Sequence, residues 1–212
     1  MKDDVTKKRP YRQSARARAA EATGERILDV FAARLSESWF DEIKLEDVAS
    51  EAGVTVQTVI RRFGGKEGLL EAVHDRLGWQ IRQRREVPAG DAAGAVSALA
   101  TDYEAVGELV LRSLAQEERY APVKAMTDIG RKMHREWMSI AFKPWLDPLS
   151  EGERRKAVDA LVVAGDIYVW KLIRKDMQRP IAEYRALVQR MCAAAVGIPH
   201  KQLFNDTESG DA

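Results

Sequence analysis

The sequence predicts an all-α protein built from a small N-terminal unit of short helices and a larger helical C-terminal unit. Three observations carry this. From Glu21 onward apolar residues recur at three- and four-residue spacing, the period of a one-sided helix. No alternating apolar–polar run longer than four residues is present, so strands are not expected. The stretch EVPAGDAAG at 86–94, with Pro88, Gly90 and Gly94, interrupts the helical pattern between the two units.

Each element follows in order. Residues 1–20 read as a basic arm. Lys2, Lys7, Lys8, Arg9, Arg12, Arg16 and Arg18 face only Asp3 and Asp4, a local charge of +5. Few large apolar side chains are available there to offset ordering entropy, so a solvated, disordered arm is expected. A head follows over residues 21–85. Ile27, Leu28, Phe31 and Leu35 mark one face of its first helix. A short second helix fits Leu45 to Ala52, with Leu45, Val48 and Ala49 inward. Gly53 ends it, and Thr55 is placed to cap a third helix, Val56 to Phe63. Gly64 and Gly65 break that helix. A fourth begins near Lys66 and carries Leu69, Leu70, Val73, Leu77 and Ile81 on one stripe.

The second domain is expected over residues 92–200. One helix runs from about 92 to 119 and another from about 123 to 142, with Met126, Ile129, Met133, Trp137 and Ile140 as its apolar stripe. Ser150 to Glu153 form a capping box, in which hydroxyl and carboxylate satisfy reciprocal backbone donors. The helix opened there is read as one rod over 153–175. A last helix spans 180–196, starting at Pro180 and stopped by Gly197 and Pro199. Residues 201–212 read as a frayed tail.

Composition limits the function. The 212 residues are 45% hydrophobic and 32% charged, enough to bury a core. Lys plus Arg number 34 and Asp plus Glu 33, a net charge of +1, so any affinity for nucleic acid must come from local clustering. The one cysteine, Cys192, excludes intrachain disulfides and multi-cysteine metal sites, and reads as a small buried hydrophobe. His74, His134 and His200 lack metal-ligand spacing. No Ser/His/Asp set, phosphate loop, HExxH or CxxC is present. The protein is therefore expected not to be an enzyme and to need no cofactor or metal. No run reaches the roughly 18 apolar residues that span a bilayer. The basic N-terminus lacks the apolar segment of a secretory signal. No membrane association and a cytoplasmic location are the corresponding expectations.

Two short helices joined by a tight glycine turn suggest a helix-turn-helix. The stretch LEDVASEAGVTVQTVIRRFGGKEGLLEAV, Leu45 to Val73, resembles the DNA-binding signature of the TetR family of transcriptional regulators. The matching features are Val48-Ala49, Ala52-Gly53-Val54, Thr58, Phe63, and Lys66-Glu67 before Leu69-Leu70. The residues themselves agree with that reading. Ala49 permits close helix approach, Gly53 supplies a positive φ, and Val54, Val59 and Phe63 face inward. Thr55, Val56, Gln57, Thr58, Arg61 and Arg62 are left on the outer face. Gln pairs with adenine, Arg with guanine, and Val contacts a thymine methyl. The resemblance implies base readers at Val56, Gln57 and Arg62, with Thr55 and Arg61 as helpers. It implies phosphate contacts at Thr58 and Lys66. The plain alternative for Gln57, Arg61 and Arg62 is a solvated polar face.

Three positions depart from the family. Ile60 stands where Tyr often touches phosphate. Lys44 replaces a Thr N-cap and is read as a further phosphate contact. Trp39 stands where Gly is common.

The resemblance further implies a small-molecule effector and a homodimer assembled through the last two long helices. A two-fold dimer would read a palindromic or near-palindromic double-stranded operator. Effector-site candidates are Tyr103, Met133, Trp137, Asp166 and Trp170, with Met126, Phe142 and Tyr168 also available; any of these residues serves equally as plain core. Asp166 either binds a cationic ligand group or pairs with Arg174 or solvent. The segment 79–91, with Trp79, Arg82, Arg84 and Arg85, would transmit effector binding to the head. The resulting expectation is a ligand-released repressor. The alternative is a helical protein–protein interaction module with a degenerate head, for which Ile60 and a net charge of only +3 over residues 1–85 speak.

Overall fold

The structure, a computed structural model, describes residues 8–204, with side chains from residue 16 onward. It is helical with no strand among the described residues. Two compact units divide at Arg76 and Leu77.

The first unit is built on α1 (Lys8–Glu37), a 3-10 turn (Phe40–Glu42), α2 (Leu45–Glu51), α3 (Val56–Phe63) and the first part of α4 (Lys66–Arg84). Residues 1–7 of the expected arm lie outside the described residues. Its remainder, residues 8–20, is the start of α1 instead of a separate arm. The helix is continued by an alanine-rich stretch, and the expected disorder rested on missing apolar contacts alone. Ile27, Phe31 and Leu35 of α1, Val48 and Ala49 of α2, Val59 of α3, and Leu69, Leu70 and Val73 of α4 are all buried. Ordinary apolar burial therefore holds these four helices together.

The second unit contains α5 (Ala92–Gln116), α6 (Ala121–Ala141), a short α7 (Lys143–Leu146), α8 (Glu151–Ala164), α9 (Ile167–Trp170), a π-helical turn (Lys171–Asp176), α10 (Ile181–Val196) and α11 (His200–Phe204). Ala95, Leu99, Tyr103, Met138, Leu161, Trp170, Tyr184 and Cys192 lie in one core. The Ser150 capping box opens α8 as expected, with Ser150 Oγ accepting from Glu153 N.

Three expectations need correction here. The rod read over 153–175 is broken. Gly165 ends α8, and the Asp166 carboxylate accepts from Tyr168 N at 2.8 Å to cap α9. The α6 stripe is rotated from the expected one: Val123, Met138 and Ala141 are buried, while Ile129 and Ile140 are 49% and 58% exposed. Residues 201–204 are not frayed, because α11 buries Leu203 and Phe204. Residues 205–212 lie outside the described part.

Candidate nucleic-acid interface

The presentation of α3 depends on the turn before it. Gly53 takes φ 67°, a left-handed conformation that a side chain disfavours. Val54 N donates to Ala49 O at 2.9 Å and closes the turn. The Thr55 hydroxyl then accepts from Thr58 N at 3.2 Å and lies 2.9 Å from the Thr58 hydroxyl. This pair satisfies an otherwise orphan donor of the first turn. At the other end Gly64 adopts φ 79° and its N–H donates to Ile60 O at 2.8 Å. Eight residues are thus fixed at both ends, and the fully buried Val59 anchors their inner side. Val54 and Phe63, also expected inside, are only half-buried.

The outer side carries the expected residues. Thr55, Gln57, Arg61 and Arg62 are exposed, and Val56 and Thr58 are half-buried. Ile60 joins this face at 40% exposure. Lys44, at the N-cap of α2, is exposed and makes no side-chain cap. No ion pair among the described residues engages Lys44, Arg61 or Arg62. Two of the nearby acidic groups are neutralised locally. Arg34 of α1 lies 3.0 Å from Glu51 and 3.7 Å from Asp47. Arg76 likewise holds Glu25 and Asp29 at 3.1 and 2.7 Å. A head with little net charge therefore leaves its cations on α3 uncompensated.

Two of the expected contact residues have partners that the sequence did not reveal. The Arg62 guanidinium lies over Gly24 of α1, so that a Cβ there would fall 2.5 Å from Arg62 Cζ. It also lies 5.7 Å from the centre of the Phe63 ring. The Lys66 ammonium donates to the carbonyls of Asp41 and Ile43 at 3.1 and 2.9 Å, and sits 4.8 Å from the Phe40 ring centre. Desolvation lowers the Lys66 pKa, against the opposing charge of Asp41. Two of its three N–H groups hold the loop that leads into α2. Trp39, the other unusual residue, starts that loop, and its N–H donates to Glu42 at 3.1 Å.

The expected effector residues behave mainly as core. Tyr103 is buried and its hydroxyl donates to Gly165 O at 2.8 Å. Burial pushes its pKa up to about 12. Trp170 Nε1 donates to Glu104 at 2.8 Å, and the indole fills the space beside Gly107. Met133 is half-buried. Asp166 is occupied as the α9 cap. Arg174 pairs with Glu104 at 2.8 Å, not with Asp166. Trp137 lines a narrow apolar seam without room for a water molecule, together with Leu99, Met138, Phe142, Val188 and Cys192. Burial raises the Cys192 thiol to about 12, so it is an inert hydrophobe in this setting.

Sequence reasoning missed the buried polar centre of this unit. Asp102 is fully buried, with Arg84 Nε at 2.7 Å and Arg85 Nη2 at 2.7 Å. The signal was present. Asp102 occupies the apolar stripe of α5 at the spacing Ala95, Leu99, Asp102, and Arg84-Arg85 closes the preceding basic run.

Residues 27–73 match the family model of bacterial regulatory proteins, tetR family. The match covers the head, 47 of the 212 residues. Regulators of the family act on transcription through a DNA-binding helix-turn-helix, which is the α2–α3 arrangement described above. The fold extends beyond the matched head. A tetR-family transcriptional regulator from Streptomyces coelicolor is 20% identical, with TM-score 0.62 over 90% of this chain and 92% of that one. A protein assigned as a transcriptional regulator from Pseudomonas aeruginosa PAO1 is 14% identical, with TM-score 0.64 over 86% and 94%. At these identities the likeness is one of fold. No curated protein matches the chain. No helix of the described residues is long and apolar enough to cross a membrane.

Proposed function

We propose that the protein is a sequence-specific DNA-binding repressor that acts as a homodimer in the cytoplasm and leaves its operator when a small molecule binds the second unit. It works as a binding protein and not as an enzyme. The observation that carries this reading is the exposed face of α3, with Gln57 and Arg61 turned outward and the neighbouring acids paired elsewhere. Gln57, Val56 and Arg62 read base edges. Thr55 and Arg61 assist them, and Thr58 and Lys44 contact phosphates and set the register. Lys66 contributes by holding the α2 entrance, with one N–H left for phosphate.

Dimerisation through α8 and α10 is supported by apolar surface in that region. Val163 on α8 is 60% exposed, and Tyr168 and Leu172 beyond its end are 56% and 52% exposed. Leu187, Met191 and Ala195 of α10 are only partly covered. Two copies related by a two-fold axis would present two α3 helices to a near-palindromic duplex. Release requires a ligand that binds better to the state with mispositioned heads.

Operator selection from random duplexes, followed by titration at several salt concentrations, tests the reading. Binding should weaken steeply between about 50 and 200 mM salt, as counterion release demands. Gln57→Ala should cost about 1–3 kcal/mol at particular base positions, whereas Lys44→Ala should weaken all sequences alike. Recovery of no preferred sequence, with salt-insensitive binding to protein partners instead, would favour the interaction-module alternative.

A further inference from the structure

The surroundings of Arg85 have the chemistry of a cation receptor. Its side chain is 8% exposed. The guanidinium lies 5.2 Å from the Tyr103 ring centre and 5.1 Å from that of Trp137. Nε donates to Asp102 Oδ2 at 2.8 Å, and Nη1 donates to His134 Nδ1 at 3.1 Å. A guanidinium only donates, so Nδ1 is an acceptor and the imidazole is neutral. Burial and the Arg85 charge push His134 down to about 4. Two aromatic rings, a carboxylate and an imidazole lone pair therefore converge on one flat cation.

The walls do not depend on the occupant's side chain. Tyr103 is held by its bond to Gly165 O, and Trp137 Nε1 donates to the Arg85 backbone carbonyl at 2.7 Å. Removal of the guanidinium would leave Asp102 still paired with Arg84 at 2.7 Å. Arg85 is also the first residue after α4 and precedes the non-helical segment with Pro88 and Gly90. Its side chain can leave without breaking a helix. Trp137 belongs both to this cage and to a narrow apolar seam that it lines with Leu99, Met138 and Phe142. That seam has no room for a water molecule, so the space open to a ligand is the space the Arg85 side chain vacates.

We propose that the Tyr103–Trp137–Asp102 cage binds a small cation with a flat, delocalised head, in the space that the Arg85 guanidinium vacates. Arg85 is the built-in occupant that such a ligand displaces. The proposal deepens the effector reading above. It rests on that reading only for its regulatory consequence, which is that the residue following α4 is freed. Binding itself needs no DNA.

The full chain without DNA is titrated with phenylguanidinium, with neutral phenylurea and with benzoate. The readouts are the melting temperature and the Trp137 indole N–H resonance, identified through Trp137→Phe. Phenylguanidinium should raise the melting temperature and move that resonance, while phenylurea and benzoate do neither. Arg85→Met empties the cage and should tighten phenylguanidinium binding at least about tenfold, because the internal competitor is gone. Adding Asp102→Asn should abolish the gain. If Arg85→Met does not fold, the wild-type titration decides alone. No shift with phenylguanidinium, or equal shifts with phenylurea, overturns the proposal. Cation binding that leaves operator affinity unchanged keeps the site and removes its effector role. An absence of operator binding before any ligand is added instead removes the function proposed above.

Discussion

Gly24→Ala places a methyl group where the Arg62 guanidinium lies. A Cβ at this position falls 2.5 Å from both Cζ and Nε of Arg62, about 1 Å inside ordinary contact distance. The obstacle is the far end of an exposed, flexible side chain, so the guanidinium swings away and the backbone stays. The change forfeits the contact with the Phe63 ring, about 0.5 kcal/mol at an exposed site. It also replaces Gly by Ala inside α1, which favours the helix by about 0.5–1 kcal/mol. The melting temperature should therefore remain within about 3 °C of wild type. Binding should respond more. If packing on α1 holds Arg62 back by about 1 kcal/mol, roughly one molecule in six has it ready for a base, and Gly24→Ala raises operator affinity about sixfold. Fluorescence anisotropy on the selected duplex measures this, beside thermal melts. The double variant Gly24→Ala with Arg62→Ala should lose the gain. An unchanged or weaker operator affinity for Gly24→Ala, at intact stability, refutes the idea that α1 restrains a DNA-reading side chain.

Two further outcomes follow from the polar contacts. Lys66→Met keeps the side-chain length but leaves the Asp41 and Ile43 carbonyls without their charged donor. Chemical denaturation should show a loss of about 1–2 kcal/mol, the lower part of the charged hydrogen-bond range because the site is partly exposed. An unaltered midpoint would mean that the clamp does not matter. His134 gives the pH dependence. Its folded pKa is about 4 against 6.5 for the free side chain. As pH falls below about 6.5 the unfolded chain takes up a proton that the folded one refuses until about 4. Stability should thus decline between those values, by about 3 kcal/mol in all, and not further below. Urea midpoints across this window should be flatter for His134→Gln; an identical slope in that variant would place the effect elsewhere.

The head was legible because its determinants are local. A turn glycine with positive φ, a threonine cap three residues before its partner amide, and apolar residues at helical spacing specify α2 and α3 without distant contacts. The outward side of α3 follows directly from the inward one. The rest of the head's chemistry was not legible in this way. Arg62 and Lys66 looked like free cations, yet one lies on a glycine 38 positions earlier in the chain and the other holds carbonyls more than 20 positions back. In the second unit, the Gly165-Asp166 pair did signal a helix end followed by a new cap, although the apolar spacing across it imitates a single rod.

By itself, the sequence determined the helical class, the order of the elements, the recognition turn and the family signature, since all of these are set by neighbours within a few residues. Only the tertiary structure decided which charges remain available and which are consumed inside. Arg34 withdraws Asp47 and Glu51, and Asp102 gathers Arg84 and Arg85. The physical reason is that a charged side chain acquires its role from the solvent and counter-charge around it, and folding brings those together from remote parts of the chain.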